Sequence, residues 1–485
     1  MTLLTLLWLT APFGLGFLIY LLPQLRRSLA AIAGVLSLGY GLWLFGGEKS
    51  QTLTLIPPFG VTLLLDDLTA FFILTNALVT LAVVLYCWQK DKAAAFYAQT
   101  LILHSSVNAA LISADLISLY VALEVLSIAA FLLMTYRRSH RNLWVGIRYL
   151  FVSNVAMLFY LVGAMLVYQT HHSFAFVGLK GSPPEAYALI TMALLVKGGI
   201  FPMGFWLPLT HGESEAPVSA LMSGVVVKAG VFPLVRIALL VEAANPTVRL
   251  FGVITAVVGV IYAIFALDTK RTLAWSTISQ MGFLLAAPPV AGFYALTHGL
   301  VKAALFLGVG RLPERQFAVL REQGIPRSLS WALIVASFSI SGFPLLSGFG
   351  AKVLTLKTLL PWQGWAMNGA ALGTTIVFAK FIFLPQRDEI APQDHQDRGF
   401  WGAIALLLGS LVLANGIYYQ AYTLENIAKP LMTIGLGWLI YGGLAVRWQA
   451  SFSQEPEQFE HLIGGMSLML IILFWIGWAK WEPLF

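Results

Sequence analysis

Six ionisable side chains lie inside long apolar stretches of the sequence, where a charge is costly. They are Glu124, Lys197, Lys228, His298, Lys302 and Lys352. A lysine or glutamate at the centre of a bilayer costs about 2.5 to 3.5 kcal/mol on insertion scales, so such a residue faces a protein interior or a wet cavity. One acid and several bases on separate segments are the groups from which a proton pathway is built. The set therefore indicates proton transfer through the protein interior.

Two pairs within this set have spacing or chemistry that favours proton exchange. If Glu124 meets Lys197, each stabilises the charged form of the other, and moving the acid away releases a proton from the lysine. His298 precedes Lys302 by one helical turn and titrates near neutral pH, which suits a relay. Two alternatives stay open, namely a structural ion pair for Glu124 and Lys197 and a hydrogen-bonded packing role for His298.

Two apolar segments contain a proline beside several glycines. Pro202 lies in LLVKGGIFPMGFWLP and Pro344 lies in ISGFPLLSGFGAKVL. Proline lacks a backbone donor and clashes with the preceding turn, so we expect each helix to break and restart at these sites. Broken helices at bilayer depth line water or mark ion sites in transporters. The breaks lie five spans apart, which suggests an internal repeat of five helices.

The apolar stretches predict an all-α polytopic membrane protein, because only helices satisfy the backbone of such segments in lipid. We expect spans at residues 2–22, 28–46, 67–88, 96–113, 115–135, 145–168, 187–208, 216–241, 248–267, 271–287, 289–310, 328–357, 365–385, 399–419, 427–446 and 461–480. They divide into N-terminal spans (1–95), two five-helix repeats (96–241 and 248–385) and C-terminal spans (399–485).

Loop charge predicts the orientation of the chain. Most basic loop residues follow odd-numbered spans, whereas the loops after even-numbered spans and the C-terminal tail hold only Lys49, Lys180, Arg249, Lys429 and Lys480. Cytoplasmic loops carry the excess of lysine and arginine. We therefore expect both termini to lie on the non-cytoplasmic face.

Composition excludes several classes of protein. The chain has 485 residues, of which 59% are apolar and 11% charged, against roughly 25% charged in an ordinary soluble domain. A soluble enzyme, a nucleic-acid binder and a disordered chain are excluded. The single cysteine, Cys87, permits no internal disulfide, and the sequence has no P-loop, dinucleotide fingerprint or metal-binding cluster. We expect no metal, cofactor or nucleotide on this chain; whether it serves an enzyme complex stays open.

Five acidic residues stand next to predicted helix starts. Asp66, Asp67 and Asp115 stand at the starts of spans, where a carboxylate caps the helix and suits the positive end of its dipole. Glu213 and Glu215 in LTHGESEAPVSA precede the eighth span. They line a mouth of the pathway or cap this span, and we favour the cap.

Several motifs resemble those of one known family, the antiporter-like membrane subunits. Complex I contains such subunits, and in Mrp-type Na+/H+ antiporters the corresponding subunit is the D-type one. The motifs are DLISLYVALEVLSIAAFLL, LLVKGGIFPMGFWLPLTHGESEAPVSALMSGVVVKAGVFPLVR, DTKRTLAWSTISQMGFLL, HGLVKAALFLGVG and GFPLLSGFGAK. The second is the most specific, with Lys197 and Lys228 spaced 31 residues apart. The resemblance covers roughly residues 60–420.

The resemblance implies a fold of fourteen core helices with two inverted five-helix repeats and broken helices seven and twelve. It also implies roles: Glu124 and Lys197 as a partner pair, Lys228 on a central hydrated axis, His298 and Lys302 as its continuation and Lys352 at its end. One branch of the family has glutamate at this last position, so Lys352 points away from that branch.

The implied function is proton translocation by one subunit of a multi-subunit membrane complex. The implied partners are other membrane subunits. The implied cargo is protons, with Na+ as a second candidate. The chain departs from the family core in two extra C-terminal spans and in having no long lateral helix. We slightly favour an Mrp-type subunit over a complex I subunit, in a bacterial inner membrane or a thylakoid. A non-conducting structural subunit and a stand-alone solute carrier are the alternatives.

Overall fold

The computed structural model describes residues 2–46, 50–56, 61–387, 397–445 and 459–481. This part of the chain is mostly helical, and ten of its helices are long and apolar enough to cross a membrane. Lys49 and the ranges 446–458 and 482–485 of the expected C-terminal region lie outside the described residues.

Twenty helices follow one another along the described chain. In the N-terminal half they are α1 (Thr2–Leu21), α2 (Arg26–Phe45), α3 (Asp67–Tyr86), α4 (Ala94–Ile112), α5 (Leu116–Met134), α6 (His140–His171), α7 (Pro184–Lys197), α8 (Trp206–Glu213), α9 (Ala216–Leu221) and α10 (Val227–Leu240). In the C-terminal half they are α11 (Asn245–Phe265), α12 (Thr269–Ala286), α13 (Ala291–Val309), α14 (Phe317–Gln323), α15 (Arg327–Ser341), α16 (Ser347–Lys357), α17 (Gly364–Ile382), α18 (Arg398–Ala414), α19 (Leu424–Ile440) and α20 (Phe459–Trp481).

The strands are short and lie in the connections between helices. An antiparallel hairpin joins α2 to α3, and a two-residue parallel pair ties the start of α15 to the chain after α17. The strands are β1 (Ser50–Ile56), β2 (Val61–Asp66), β3 (Ile325–Pro326) and β4 (Gln386–Arg387).

The helices confirm the predicted polytopic fold. Each expected span corresponds to one helix, once α7 is joined to α8, α9 to α10 and α15 to α16, and the short α14 is set aside. The five spans from α4 to α10 and the five from α11 to α17 each contain a broken helix in fourth place. Since five crossings reverse the direction of the chain, the second set runs opposite to the first.

Both predicted helix breaks are present. The first lies between α7 and α8, where Gly199 has a φ of +64°, and the second follows α15, where Gly342 has a φ of +84°. Glycine adopts these left-handed conformations without steric cost. A side chain donates to a backbone carbonyl at each broken end: the indole of Trp206 donates to Val196 at 3.1 Å, and the amine of Lys352 donates to Ser341 at 3.3 Å.

The loops after odd-numbered spans meet at one end of the molecule. Lys92 after span three and Arg137 after span five both pair with Glu215 after span seven. At the opposite end, the backbone of Thr62 after span two donates to Asp115 after span four at 2.9 Å. The alternation of these spans is therefore correct; which end faces the cytoplasm stays a prediction.

Acidic side chains begin two of the helices, as expected. Asp66 accepts a hydrogen bond from the backbone of Thr69 at 2.9 Å, and Asp115 accepts one from Ser118 at 2.7 Å. The cap expected from Glu215 is wrong, because its side chain makes no hydrogen bond to the start of α9. Two cationic side chains take up its carboxylate instead.

Candidate functional site

The acid and the first lysine of the predicted row form an ion pair at the first helix break. Nζ of Lys197 lies 3.4 Å from Oε1 of Glu124. The lysine side chain is 3% exposed and the glutamate side chain 23% exposed, so one member is deeply buried and the other partly open. A buried charge is tolerated when an opposite charge and hydrogen bonds compensate it. The geometry agrees with the expected contact, and its role in proton transfer stays a prediction.

Two serines complete the surroundings of the Lys197 amine. Nζ donates to the hydroxyls of Ser127 on α5 and Ser153 on α6, each at 2.5 Å, and lies 3.4 Å from the carbonyl oxygen of Leu123. Together with Glu124 these are four acceptors for an ammonium group that has three protons. The amine can therefore separate from Glu124 and keep its neutral acceptors.

Glycine allows α10 to pass directly against the broken end of α7. A Cβ on Gly230 would lie 2.5 Å from the carbonyl carbon of Lys197 and would also overlap the backbone nitrogen of Gly198. Only a residue without a side chain permits this approach. The contact fixes the position of Lys197 and connects it to the helix that carries Lys228.

Lys228 is the second residue of α10 and closely follows a π-helical turn, Met222–Val226, that joins α9 to α10. The residue is 2% exposed, and its Nζ donates to the carbonyl of Ser223 at 3.0 Å. A π turn interrupts the regular ladder of helix hydrogen bonds and is frequent at functional sites. The hydroxyl of Ser223 also lies 2.7 Å from that of Thr277 on α12, so polar contacts lead from α10 to α12.

The central helix α13 carries the next two ionisable residues. All of its residues are buried, because an all-round apolar helix belongs inside the bundle. Lys302 donates to the carbonyl of Leu273 on α12 at 2.8 Å. Both ring nitrogens of His298 are buried and have no hydrogen-bond partner in the described part of the chain. Lys228 and Lys302 both interact electrostatically with this ring.

Lys352 closes the row on α16, just beyond the second break. A cavity of about 10 Å³ separates it from His298 and is also lined by Gln280, Tyr294 and Ser339. This volume approaches that of one water molecule. The hydroxyl of Tyr294 donates to Oε1 of Gln280 at 2.5 Å. The small cavity is therefore lined by polar groups from α12, α13, α15 and α16.

A much larger cavity opens at the end where the odd-numbered loops meet. Its volume is about 890 Å³. The charged residues that line it are Lys90, Lys92, Arg137, Lys270, Arg315, Glu213, Glu215 and Glu314. We call it the basic-end cavity. Glu213 and Glu215 thus line a mouth in the protein, which was the less favoured expectation for them.

The electrostatics of the basic-end cavity are set by burial and by ion pairs. Burial disfavours ionisation of Glu215, but hydrogen bonds and positive charge from Lys92 and Arg137 outweigh it and hold the pKa of Glu215 below its ordinary value. Burial lowers the pKa of Lys90 to about 8, and its Nζ lies 3.3 Å from the centre of the Tyr86 ring. The buried amine of Lys90 is therefore a weaker base than an ordinary lysine.

Arg236 and Lys380 are two of the buried cations that lie outside the row. Arg236 on α10 forms a two-pronged ion pair with Asp66 at the start of α3. Lys380 on α17 donates to the carbonyls of Ala263 and Ala266 at the end of α11, at 3.1 and 2.9 Å. Each side chain therefore connects its own helix to the end of another helix.

Sequence reasoning identified the charged members of the site but not the uncharged polar residues around them. The missed residues are Ser127, Ser153, Ser223, Gln280, Tyr294 and Ser339. Ser127 could have been found, since it lies three residues after Glu124 on the same helix face. The others reach the row only through packing between helices.

The structure offers little for a metal. Among the residues that it describes, no cluster of three or more His, Cys, Asp or Glu side chains has metal-binding geometry. The expectation that this chain carries no metal or cofactor stays a prediction.

Comparison with known proteins gives related sequences. Residues 113–378 match a protein family that is described as "NADH:quinone oxidoreductase/Mrp antiporter, TM". Hydrogenase-4 component B of Escherichia coli is 28% identical over 70% of this chain, which spans only 58% of that relative. A Na(+)/H(+) antiporter subunit of Alkalihalophilus pseudofirmus, of the D type, is 25% identical over 76% of this chain and 82% of its own length. NAD(P)H-quinone oxidoreductase chain 4-2 of Synechocystis is 32% identical over 81% of this chain and 79% of its own length.

A solved structure shares the fold. It is a chain of the membrane-bound sulfane sulfur reductase, an archaeal respiratory membrane complex, with a TM-score of 0.74 and 21% identity over 89% of this chain and 97% of its own. Because the family match covers more than half of the sequence and the Synechocystis relative exceeds 30% identity over most of its length, the chain belongs to the NADH:quinone oxidoreductase/Mrp antiporter family of transmembrane proteins.

Proposed function

We propose that this chain is a proton-translocating, antiporter-like subunit of a multi-subunit membrane complex. The observation that supports this most strongly is the contact of Glu124 with Lys197 at a helix break. Buried charges at broken helices are the usual construction of ion sites in transporters. The pathway runs along Glu124, Lys197, Lys228, His298, Lys302 and Lys352.

The mechanism begins at the ion pair. When the carboxylate of Glu124 moves away, the Lys197 ammonium loses its compensating charge in a buried site, and the neutral amine becomes the favoured form. The released proton passes to the neutral amine of Lys228, on the helix that contacts the end of α7. Repulsion between neighbouring cations then favours the transfer of a proton through His298 to Lys302 and Lys352.

Proton transport in membrane vesicles tests this function. We expect Glu124→Gln and Lys197→Met each to lower the initial transport rate of the assembled complex at least about a hundredfold, as loss of an essential acid or base does. Lys380→Met is the matched control, since it also removes a buried lysine but lies outside the row. Subunit assembly is checked by mild-detergent purification. Near-normal rates in both row variants, with assembly intact, would identify a non-conducting structural subunit instead.

We also propose an Mrp-type cation/proton antiporter as the parent complex, with Na+ as the coupling ion. The relationship to the Na(+)/H(+) antiporter subunit of Alkalihalophilus supports this assignment, whereas the relationship to chain 4-2 supports the complex I type. Partners that co-purify in mild detergent separate the two. Small hydrophobic subunits alone indicate the antiporter, and iron–sulfur subunits indicate complex I.

A further inference from the structure

His211 is a fully buried histidine that the proposed row does not use. It lies on α8, the second half of the first broken span, and is 0% exposed. Neither ring nitrogen has a hydrogen-bond partner within the described ranges. The ring stacks on Phe306 of α13, with centroids 4.5 Å apart and planes 18° apart. Since buried polar groups nearly always have partners, this arrangement requires an explanation beyond packing.

The position of His211 joins two features of the molecule. The next two residues, Gly212 and Glu213, line the basic-end cavity. On the other side, Phe306 lies one turn after Lys302 on α13, so the stacked ring stands beside the helix face that carries Lys302. The ring therefore lies next to residues that line the cavity and against the helix that carries Lys302.

Positive charge surrounds the ring from several helices. Lys302 on α13 and Lys270 at the start of α12 both interact electrostatically with it. Lys270 also lines the cavity and donates to the carbonyl of Ser214 at 2.7 Å. Arg315 and Arg271 come closest to the neighbouring Gly212. These cations repel an imidazolium ring, so a proton taken up by His211 passes on readily when Lys302 is neutral.

We propose that His211 relays protons between the basic-end cavity and Lys302, so that the cavity feeds the row at its centre. This inference rests on the proposed proton transport. One ring nitrogen takes a proton from water in the cavity, and the other gives its proton to the neutral amine of Lys302, which becomes an ammonium group. The ring returns to its neutral form, and no redox step or covalent intermediate is involved.

Two crossed substitutions separate a relay from a packing role. His211→Phe keeps an aromatic ring on Phe306 but removes both nitrogens, whereas Phe306→Leu removes the stacking partner and keeps them. The measurements are proton transport in vesicles and assembly of the complex. The relay predicts at least about a tenfold loss of rate in His211→Phe and less than about threefold in Phe306→Leu. The reverse order, or a normal rate in His211→Phe, overturns it.

The same preparation distinguishes this inference from the proposed function. If Glu124→Gln and Lys197→Met stop transport and His211→Phe does not, the row stands and the relay is wrong. If none of the three variants is impaired, the proposed function is wrong. Should His211→Phe fail to assemble, His211→Ala is tested with added imidazole and with thiazole, a similar ring that stays unprotonated at neutral pH. Recovery with imidazole alone supports the relay, and any other pattern contradicts it.

Discussion

The Lys197 amine has one charged hydrogen-bond acceptor and several neutral ones, and this difference affects its protonation. One acceptor is the partly exposed carboxylate of Glu124, and the remaining three are neutral oxygens from α5 and α6. Neutral acceptors hold the amine in either charge state, whereas the carboxylate favours only the ammonium form. In the proposed mechanism, the serines therefore allow the lysine to lose its proton without leaving its site.

Removal of one serine should weaken this arrangement without abolishing it. Ser127→Ala removes a neutral acceptor worth about 1 kcal/mol, which ties the amine more closely to Glu124. We expect the transport rate to fall by about threefold to tenfold, measured as vesicle acidification. Ser467→Ala, whose hydroxyl bonds only its own helix α20, should leave the rate unchanged. An unaltered rate in Ser127→Ala contradicts this role.

The pH dependence of stability should report on Glu215. Its pKa is lowered in the folded protein from an ordinary value of 4.5. The ionised carboxylate therefore stabilises the fold above that value, and its contribution is lost as the pH falls through the lowered pKa. We expect Glu215→Gln to destabilise the protein by about 1 to 3 kcal/mol at pH 7. Thermal unfolding in detergent should show the difference from wild type shrinking in acid; a constant difference contradicts the assignment.

At the scale of single residues, the cost of buried charge made the site predictable in part. Glu124, Lys197 and Lys228 stand out because an apolar run otherwise excludes them. Ser153 and Tyr294 do not, since a serine or tyrosine is ordinary in a membrane helix. His211 lies in a polar-looking loop sequence, LTHGES, and only the fold shows that its ring is buried.

At the scale of elements, the fit of α10 against the break in α7 depends on one glycine. Gly230→Ala places a methyl group against the backbone of Lys197 and Gly198. We expect this overlap to destabilise the protein by about 1 to 3 kcal/mol and to slow proton transport by displacing Lys197 from Glu124. Thermal unfolding and vesicle transport measure the two effects.

Gly369→Ala on α17 is the matched control for that substitution, because nothing lies within 4 Å of the added Cβ. It should leave both stability and transport close to wild type. Equal behaviour of Gly230→Ala and Gly369→Ala would show that the contact between α7 and α10 does not position the lysine.

The sequence predicts helix breaks better than it predicts other local irregularities. Proline and glycine at Pro202 and Pro344 indicate both breaks through their backbone chemistry. The π turn Met222–Val226 has no such signature, since MSGVV reads as ordinary helix. Glu215 resembles a helix cap in the sequence, but Lys92 and Arg137 approach it from distant loops and take its carboxylate.

At the scale of the whole molecule, apolar runs predicted where the long helices lie along the chain. They did not predict which spans pack together. The two extra spans illustrate this limit: α19 packs on α17 and contacts Phe338 of α15 through Trp438, whereas α20 packs on α7. The buried face of α20 consists of Leu462, Met466, Met469 and Leu473, yet its exposed residues are equally apolar, so hydropathy alone cannot separate its faces.

The orientation of the molecule can be tested with reporter fusions. If the basic loops lie in the cytoplasm, both termini face away from it. Alkaline phosphatase fused after the last residue should then be active, and green fluorescent protein at the same site should be dark. Bright green fluorescence would invert the topology and place the basic-end cavity on the opposite side. Fusions in the loop after α5, beside Arg137, provide the reciprocal control.

The central claim is that one connected row carries protons from the Glu124–Lys197 pair to Lys352, and Lys228 is its middle member. The most direct test is proton transport by the assembled complex in vesicles after Lys228→Met, beside the Lys380→Met control. We expect at least about a hundredfold loss of rate in the first variant and a near-normal rate in the second. Normal transport in Lys228→Met, with assembly intact, would contradict it.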